Sequence, residues 1–178
     1  LNEAIEELKE NEFKDLFNDD EKEKIYVKDI NIDTDFELLF PDDYVNNITE
    51  RLNLYTELNE LKTEEELEDF ESRLMDRFGE LPIQVVDLLN SVRIKWIAKK
   101  LGIERLILKK KRMICYFVSD QQSSYYQTAT FTKVLQFVQI NPTTCVMKEK
   151  ETKNGLRLLL TFIHITSVNK ALSELQKI

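Results

Sequence analysis

The sequence is poor in the residues that build catalytic and metal centres. Its three glycines, Gly79, Gly102 and Gly155, are far apart. A phosphate cradle needs clustered glycines so that backbone N–H groups can approach the phosphates, so their dispersal argues against independent ATP hydrolysis. The single histidine, His164, lies in or just after an apolar run with no cysteine or paired carboxylate beside it. A metal site needs convergent ligands, and no metal or cofactor is expected here. Cys115 and Cys145 lack metal-type spacing, and a reduced, cytoplasmic setting is the simplest expectation. Cys115 sits in the run Met113–Val118, which suits a small buried hydrophobe. As a nucleophile it would need a base in reach, and only His164 could serve. No apolar run approaches the ~18 residues of a membrane span. Residues Leu1–Glu10 are charged and amphipathic, without the apolar centre of a signal peptide.

What is present is charge and helical pattern. Apolar residues make up 42% and charged residues 33%, the balance of a soluble globular domain with its own core. The net charge of −8 is unevenly placed. Residues 1–80 carry 27 acidic and 9 basic side chains, net −18, whereas residues 81–178 carry 6 acidic and 16 basic, net +10. Such halves complement one another, or serve two contact surfaces, or are simply solvated faces.

Leu1, Ile5 and Leu8 have helical spacing, and Glu10–Lys24 reads as an acidic linker. Lys28–Phe36 alternates apolar and polar residues around Ile30 and Ile32, the pattern of a half-buried strand or arm, and Pro41 stops it. Asp42 or Asn46–Asn47 can cap a helix carrying Ile48, Leu52, Tyr55, Leu58 and Leu61. Thr63 with Glu66 forms a capping box for a second helix, whose stripe is Leu67, Phe70, Leu74 and Phe78 and which Gly79 ends. Pro82 opens a third, with Val86, Leu89, Val92, Trp96 and Ile97 as its buried face and Gly102 at its close. Arg105–Leu108 and Met113–Val118 read as a hairpin with the basic tip Lys109–Arg112. A helix from Thr128 or Thr130 to Val138 follows, with Phe131, Val134, Leu135 and Val138 inward. Thr143–Lys148 and Leu156–Ile163 flank the hairpin signal Asn154–Gly155. Ser167 caps a last helix with Val168, Ala171, Leu172 and Leu175 on one side. Helices followed by mixed strands and helices predict an α+β fold: a helical first half packed on a small, mostly antiparallel sheet with two further helices.

Two surface features remain. Lys109, Lys110, Lys111 and Arg112, with Arg105 and Lys99–Lys100 near in sequence and Tyr116 and Tyr125–Tyr126 as modest aromatic neighbours, could touch phosphates; the same run also reads as a soluble loop. The other feature is Glu71, Arg73, Asp76, Arg77, Phe78 and Gly79. Asp76 lies at a helix C-terminus, where an acid opposes the dipole and invites a cationic partner. Pairing within the helix, such as Asp69 with Arg73, is the alternative.

The stretch Arg73-Leu74-Met75-Asp76-Arg77-Phe78-Gly79-Glu80-Leu81-Pro82 resembles the E-L-x-D-R-F-G-x-L-P signature of the bacterial transcription-repair coupling factor (Mfd) family. Pro41-Asp42-Asp43-Tyr44-Val45, then Arg51-Leu52 and Tyr55, looks like that family's P-x-x-Y-I-P…R-L-x-x-Y segment. Leu1-Asn2-Glu3-Ala4-Ile5-Glu6-Glu7-Leu8-Lys9 looks like the helix closing its second motor domain. Resemblance in motif runs from the first residue to Gly102, and in pattern only beyond it. It implies residues 1–24 as the end of a translocase domain plus linker, 25–47 as an arm, and 48–178 as a C-terminal regulatory domain. The family is an ATP-driven DNA translocase that pushes stalled RNA polymerase off damaged DNA and recruits excision repair. Its C-terminal domain packs on a UvrB-like module of the same protein and hides the surface that binds UvrA. The resemblance thus implies a non-catalytic, monomeric docking domain, with Asp76 as the leading contact. Two departures stand out: Arg73 where the signature has Glu, and Asn46 where the family often has Pro.

Overall fold

The computed structural model describes residues 24–178. The helix expected over Leu1–Lys9 and the linker as far as Glu23 therefore lie outside the described residues. The elements run β1 (Asn31–Thr34), α1 (Ile48–Glu60), α2 (Glu64–Phe78), α3 (Ile83–Leu101), β2 (Ile103–Lys109), β3 (Arg112–Phe117), a short 3₁₀ turn (Ser124–Gln127), α4 (Ala129–Ile140), β4 (Cys145–Thr152), β5 (Gly155–Ile163) and α5 (Val168–Gln176). The sheet order is β1-β2-β3-β5-β4. β1 is parallel to β2 and every other pair is antiparallel, so the fold is α+β as expected. Parallel β1 and β2 cannot be joined by a tight turn, and the three helices α1–α3 make the crossover.

Helix starts follow local chemistry. Asn47 caps α1 by accepting from Glu50 N at 3.0 Å. Thr63 accepts from Glu66 N at 3.2 Å, and the Glu66 carboxylate accepts in return from Lys62 N at 3.0 Å. Thr128 and Ser167 cap α4 and α5 in the same manner. Gly79 ends α2 with φ +90° and ψ −162°, so positive φ is used but with an extended ψ in place of the left-handed helical one, a combination open essentially to glycine.

The described residues form two apolar cores. Phe40, Val45, Leu58, Leu67, Phe70, Leu74, Val85, Leu88 and Leu89 form one, among α1, α2 and the start of α3. The other lies between the sheet and α3, α4 and α5, around Ile94, Ala98, Leu106, Met113, Cys115, Phe117, Leu160 and Phe162. Because α3 belongs to both, it is buried on more than one face. Val85, Leu88, Leu89, Ile94 and Ala98 are its buried apolar residues. Of the face expected from periodicity, Leu89 alone is fully buried, and Val86, Val92, Trp96 and Ile97 are half-buried. In α4, Phe131 and Val134 point inward but Leu135 is exposed. In α5 all four expected residues are buried.

The hairpins exchange their expected turn chemistry. Lys110 and Lys111 both have positive φ (52° and 60°), the signature of the mirror-image two-residue turn usually made by Asn-Gly. The Asn154–Gly155 hairpin instead turns on Lys153–Asn154, with Gly155 already paired to Thr152 at φ +108°. The Thr152 hydroxyl sets that turn, accepting from Asn154 N and donating to Gly155 O.

Strand alternation gives the sheet two unlike faces. Ile32, Leu106, Cys115, Leu160 and Met147 lie in register on the helix-covered side. On the opposite side the corresponding row is Asp33, Ile107, Ile114, Thr161 and Val146, and none of these five belongs to either core.

Candidate docking site

The two described segments that carry the sequence resemblance meet in space. The Tyr44 hydroxyl donates to Gly79 O at 2.9 Å, with Leu74 O 3.3 Å away, and its ring lies 5.6 Å from that of Phe78. Burial pushes the Tyr44 phenol above its ordinary value, so it stays a donor. Arg51 bonds Val45 O at 2.9 Å and Asp42 at 3.0 Å, and Phe40 N donates to the Tyr55 hydroxyl at 2.8 Å. The Pro41–Val45 turn is thereby fastened to α1 and to the C-terminal end of α2.

Along the α1–α2 seam runs a groove of about 330 Å³, lined by Leu54, Glu57, Phe70, Arg73, Leu74, Asp76, Arg77 and Phe78. A recess of about 480 Å³ beside it shares Leu54, Glu57 and Arg77 and adds Asn47, Thr49, Glu50 and Asn53. The floor is apolar and the walls are charged. Arg73 pairs with Glu57 across the seam and lies over the Phe70 ring, its guanidinium carbon 5.6 Å from the centroid. Arg77 pairs with Glu50 and lies 5.2 Å over Phe78. The partner of Arg73 is therefore on α1, not Asp69 within its own helix. Both guanidiniums are more than half exposed, and such pairs contribute little stability, up to about 1 kcal/mol. Their effect is to fix where charge is presented.

Asp76 is exposed at the same groove and makes no ion pair among the described residues. Glu71 points elsewhere: Arg93 of α3 approaches it at 3.8 Å while bonding Glu64 at 2.7 Å and Asn90 at 2.9 Å. The structure thus brings Arg73, Asp76, Arg77 and Phe78 together, sets Gly79 behind them at the Tyr44 clasp, and separates Glu71. Sequence reasoning missed Glu50 and Glu57. Their seven-residue spacing on α1, opposite basic residues four apart on α2, was the available signal.

The basic turn is less free than its sequence implies. Lys109 pairs with Asp33 at 2.9 Å, and Arg105 approaches the same carboxylate at 3.8 Å. Lys111 O accepts from Ile165 N at 2.9 Å, tying the tip to the chain after β5. Tyr125 is not a surface aromatic: it is 1% exposed and its hydroxyl donates to Leu101 O. Both cysteines are buried, and burial raises both thiols, Cys115 furthest. His164 is exposed just past β5 with φ +58°. Among the described residues no cluster of three His, Cys, Asp or Glu could hold a metal, and no helix is long and apolar enough to cross a membrane.

A family model, the TRCF domain, matches residues 34–128, more than half of the chain. The chain belongs to the TRCF domain family. It is 31% identical over 157 residues to the transcription-repair-coupling factor of Rickettsia prowazekii (strain Madrid E), a match covering 88% of this chain and 13% of that protein. It is 43% identical over 68 residues to the corresponding factor of Escherichia coli (strain K12), covering 38% of this chain and 6% of that protein. Among solved structures it is similar to the C-terminal domain of transcription-repair coupling factor, with a TM-score of 0.62, 18% identity, and 83% of this chain and 88% of that chain covered. At that identity the likeness is one of fold. The TRCF match spans both segments of the α1–α2 clasp, from β1 to the 3₁₀ turn.

Proposed function

We propose that this TRCF domain is a non-catalytic, cytoplasmic docking module of a transcription-repair coupling factor. In this reading the intact protein is an ATP-dependent DNA translocase acting on stalled RNA polymerase. The domain closes on the UvrB-like module of the same protein and masks UvrA binding until polymerase is engaged. Residues 25–47 act as the arm, and residues 48–178 form the docking domain proper.

The observation that carries this reading is Asp76. Its two basic neighbours, Arg73 and Arg77, are drawn into pairs with α1, which leaves its carboxylate without an ion pair among the described residues, on the α2 side of an apolar-floored groove. A desolvated pair with a partner cation there is worth about 1.5–3 kcal/mol. The Arg73 departure is accommodated within the domain, because Glu57 offsets its charge and leaves Asp76 to carry the acid of the docking face. In the full-length factor, Asp76→Arg is expected to open the clamp and raise UvrA affinity about tenfold or more. Unchanged UvrA binding by the folded variant would refute the clamp.

A further inference from the structure

The side of the sheet away from the helices is unusual for a solvent face. Its central row is Ile107, Ile114, Thr161 and Val146, and the next row carries Arg105, Tyr116, Leu159 and Lys148. Lys109, Arg112 and Ile163 continue it on one side, and Lys150 and Arg157 on the other. An exposed antiparallel face ordinarily alternates to polar residues. Here Val146 is 44% and Ile163 40% exposed, and Leu159 is 8% exposed although it packs in neither core. Six cations, Arg105, Lys109, Arg112, Lys148, Lys150 and Arg157, rim the apolar row. Facing them are two acids, Asp33 beside Arg105 and Lys109, and Glu104 beside Arg157.

An apolar centre with a charged rim is the anatomy of a protein-binding surface. Nucleic acid fits it less well. Aliphatic side chains offer nothing to phosphates, and base stacking needs a free aromatic face. Tyr116 has none to spare, since Arg105 and Arg157 each lie 5.5 Å from its ring centroid. The chemistry called for is an acidic polypeptide with interspersed apolar side chains. This chain carries one outside the described residues. Residues 10–23 hold Glu10, Glu12, Asp15, Asp19, Asp20, Glu21 and Glu23 against Lys14 and Lys22, with Phe13, Leu16 and Phe17 among them. Its attachment point is fixed, because Lys24 donates to the Ser124 hydroxyl at 3.2 Å. At ~3.3 Å per extended residue those residues reach roughly 45 Å, whereas five strands spaced ~4.8 Å apart make a sheet about 20 Å wide.

We infer that residues 10–23 dock on this open sheet face, with Phe13, Leu16 and Phe17 against Ile107, Ile114 and Val146 and the carboxylates against Arg112 and Lys148. The charge split between the halves of the chain is then an internal complementarity, separate from the α1–α2 groove.

The test is paramagnetic relaxation in the full 178-residue chain, with a spin label on Asn18→Cys, beside the anchoring side chains and not one of them; Cys115 and Cys145 are buried and escape labelling. The methyls of Ile107, Ile114 and Val146 are expected to lose most of their signal, while those of Leu106 and Leu160 on the covered side keep more. Adding Arg112→Glu with Lys148→Glu should restore the lost intensity, and unchanged Leu106 and Leu160 shifts would show that this variant is folded. Undiminished signals on the open face, or broadening centred on the α1–α2 groove, would overturn the assignment. So would a DNA or RNA oligonucleotide that shifts the open-face methyls at physiological salt while the label leaves them untouched.

Discussion

The ring of Tyr125 occupies the space that a side chain on residue 102 would need: a Cβ added at Gly102 would lie 2.2 Å from its Cε2 and Cζ. Gly102 ends α3 with φ +83°, and the Tyr125 hydroxyl donates to Leu101 O just before it. The 3₁₀ turn is thus locked onto the end of α3 and the start of β2, where Tyr125 also packs edge-to-face with Tyr26 at 5.6 Å. Gly102→Ala is expected to destabilise the domain by about 3 kcal/mol or more, since overlap adds to backbone strain. Gly79→Ala and Gly155→Ala meet nothing within 4 Å and should cost only the positive-φ strain, about 1–3 kcal/mol. Urea denaturation of the three variants tests this order, and equal losses would contradict it.

The Arg73–Glu57 pair should couple weakly. With side chains 58% and 37% exposed, a double-mutant cycle is expected to give less than about 1 kcal/mol. Arg73→Glu alone sets like charges across the seam and should lower stability by a similar amount; adding Glu57→Arg should recover most of it. A coupling above about 2 kcal/mol would mean that the seam excludes water and that the groove is not open.

The Lys110–Lys111 turn holds two non-glycine residues at positive φ. Lys110→Asn with Lys111→Gly supplies the residues that this geometry favours and should raise stability by about 1 kcal/mol. The Ile165 N–Lys111 O bond is backbone only, so it survives the change. Thermal unfolding reads the gain, and a loss would show that the lysine side chains themselves support the hairpin.

These turns mark the boundary of what the sequence made legible. Capping chemistry is local, so Thr63 and Ser167 could be assigned as caps in advance, Asn47 stood among the candidates with Asp42 and Asn46, Thr128 was one of two possible helix starts, and the apolar stripes of α2 and α5 were legible too. The face of α3 was not. Its burial is set by two cores on different sides, and a single 3.6-residue period describes one. The 3₁₀ turn was missed because Tyr125 is buried by tertiary contacts that its polar surroundings, Gln121 to Thr128, do not announce. The parallel pairing of β1 with β2 likewise depends on how α1–α3 return the chain. At the candidate docking site the motif around Asp76 was visible, while the acids that hold Arg73 and Arg77 became apparent only once α1 and α2 were laid side by side.

Alkaline pH should expose the buried thiol and phenol. Burial raises Cys115 far above its ordinary 9.0, with Cys145 adding to the effect, and burial likewise raises Tyr125 above 10.0, with Tyr126 adding. Both groups stay protonated in the fold, whereas in the unfolded chain they ionise near their ordinary values. Below about pH 7.5 neither state loses these protons, and their contribution to stability is constant. As pH rises past 9 and then 10 the unfolded state holds fewer protons than the native one, so stability falls, each group steepening the loss toward about 1.4 kcal/mol per pH unit. Urea midpoints measured from pH 7 to 11 should show this decline, and Cys115→Ala should flatten the segment that begins near pH 9 whatever it costs in absolute stability. A thiol reagent at pH 8 should leave Cys115 unmodified in the native protein and react with it once the chain is unfolded. Rapid modification under native conditions would show that the sheet opens locally at β3.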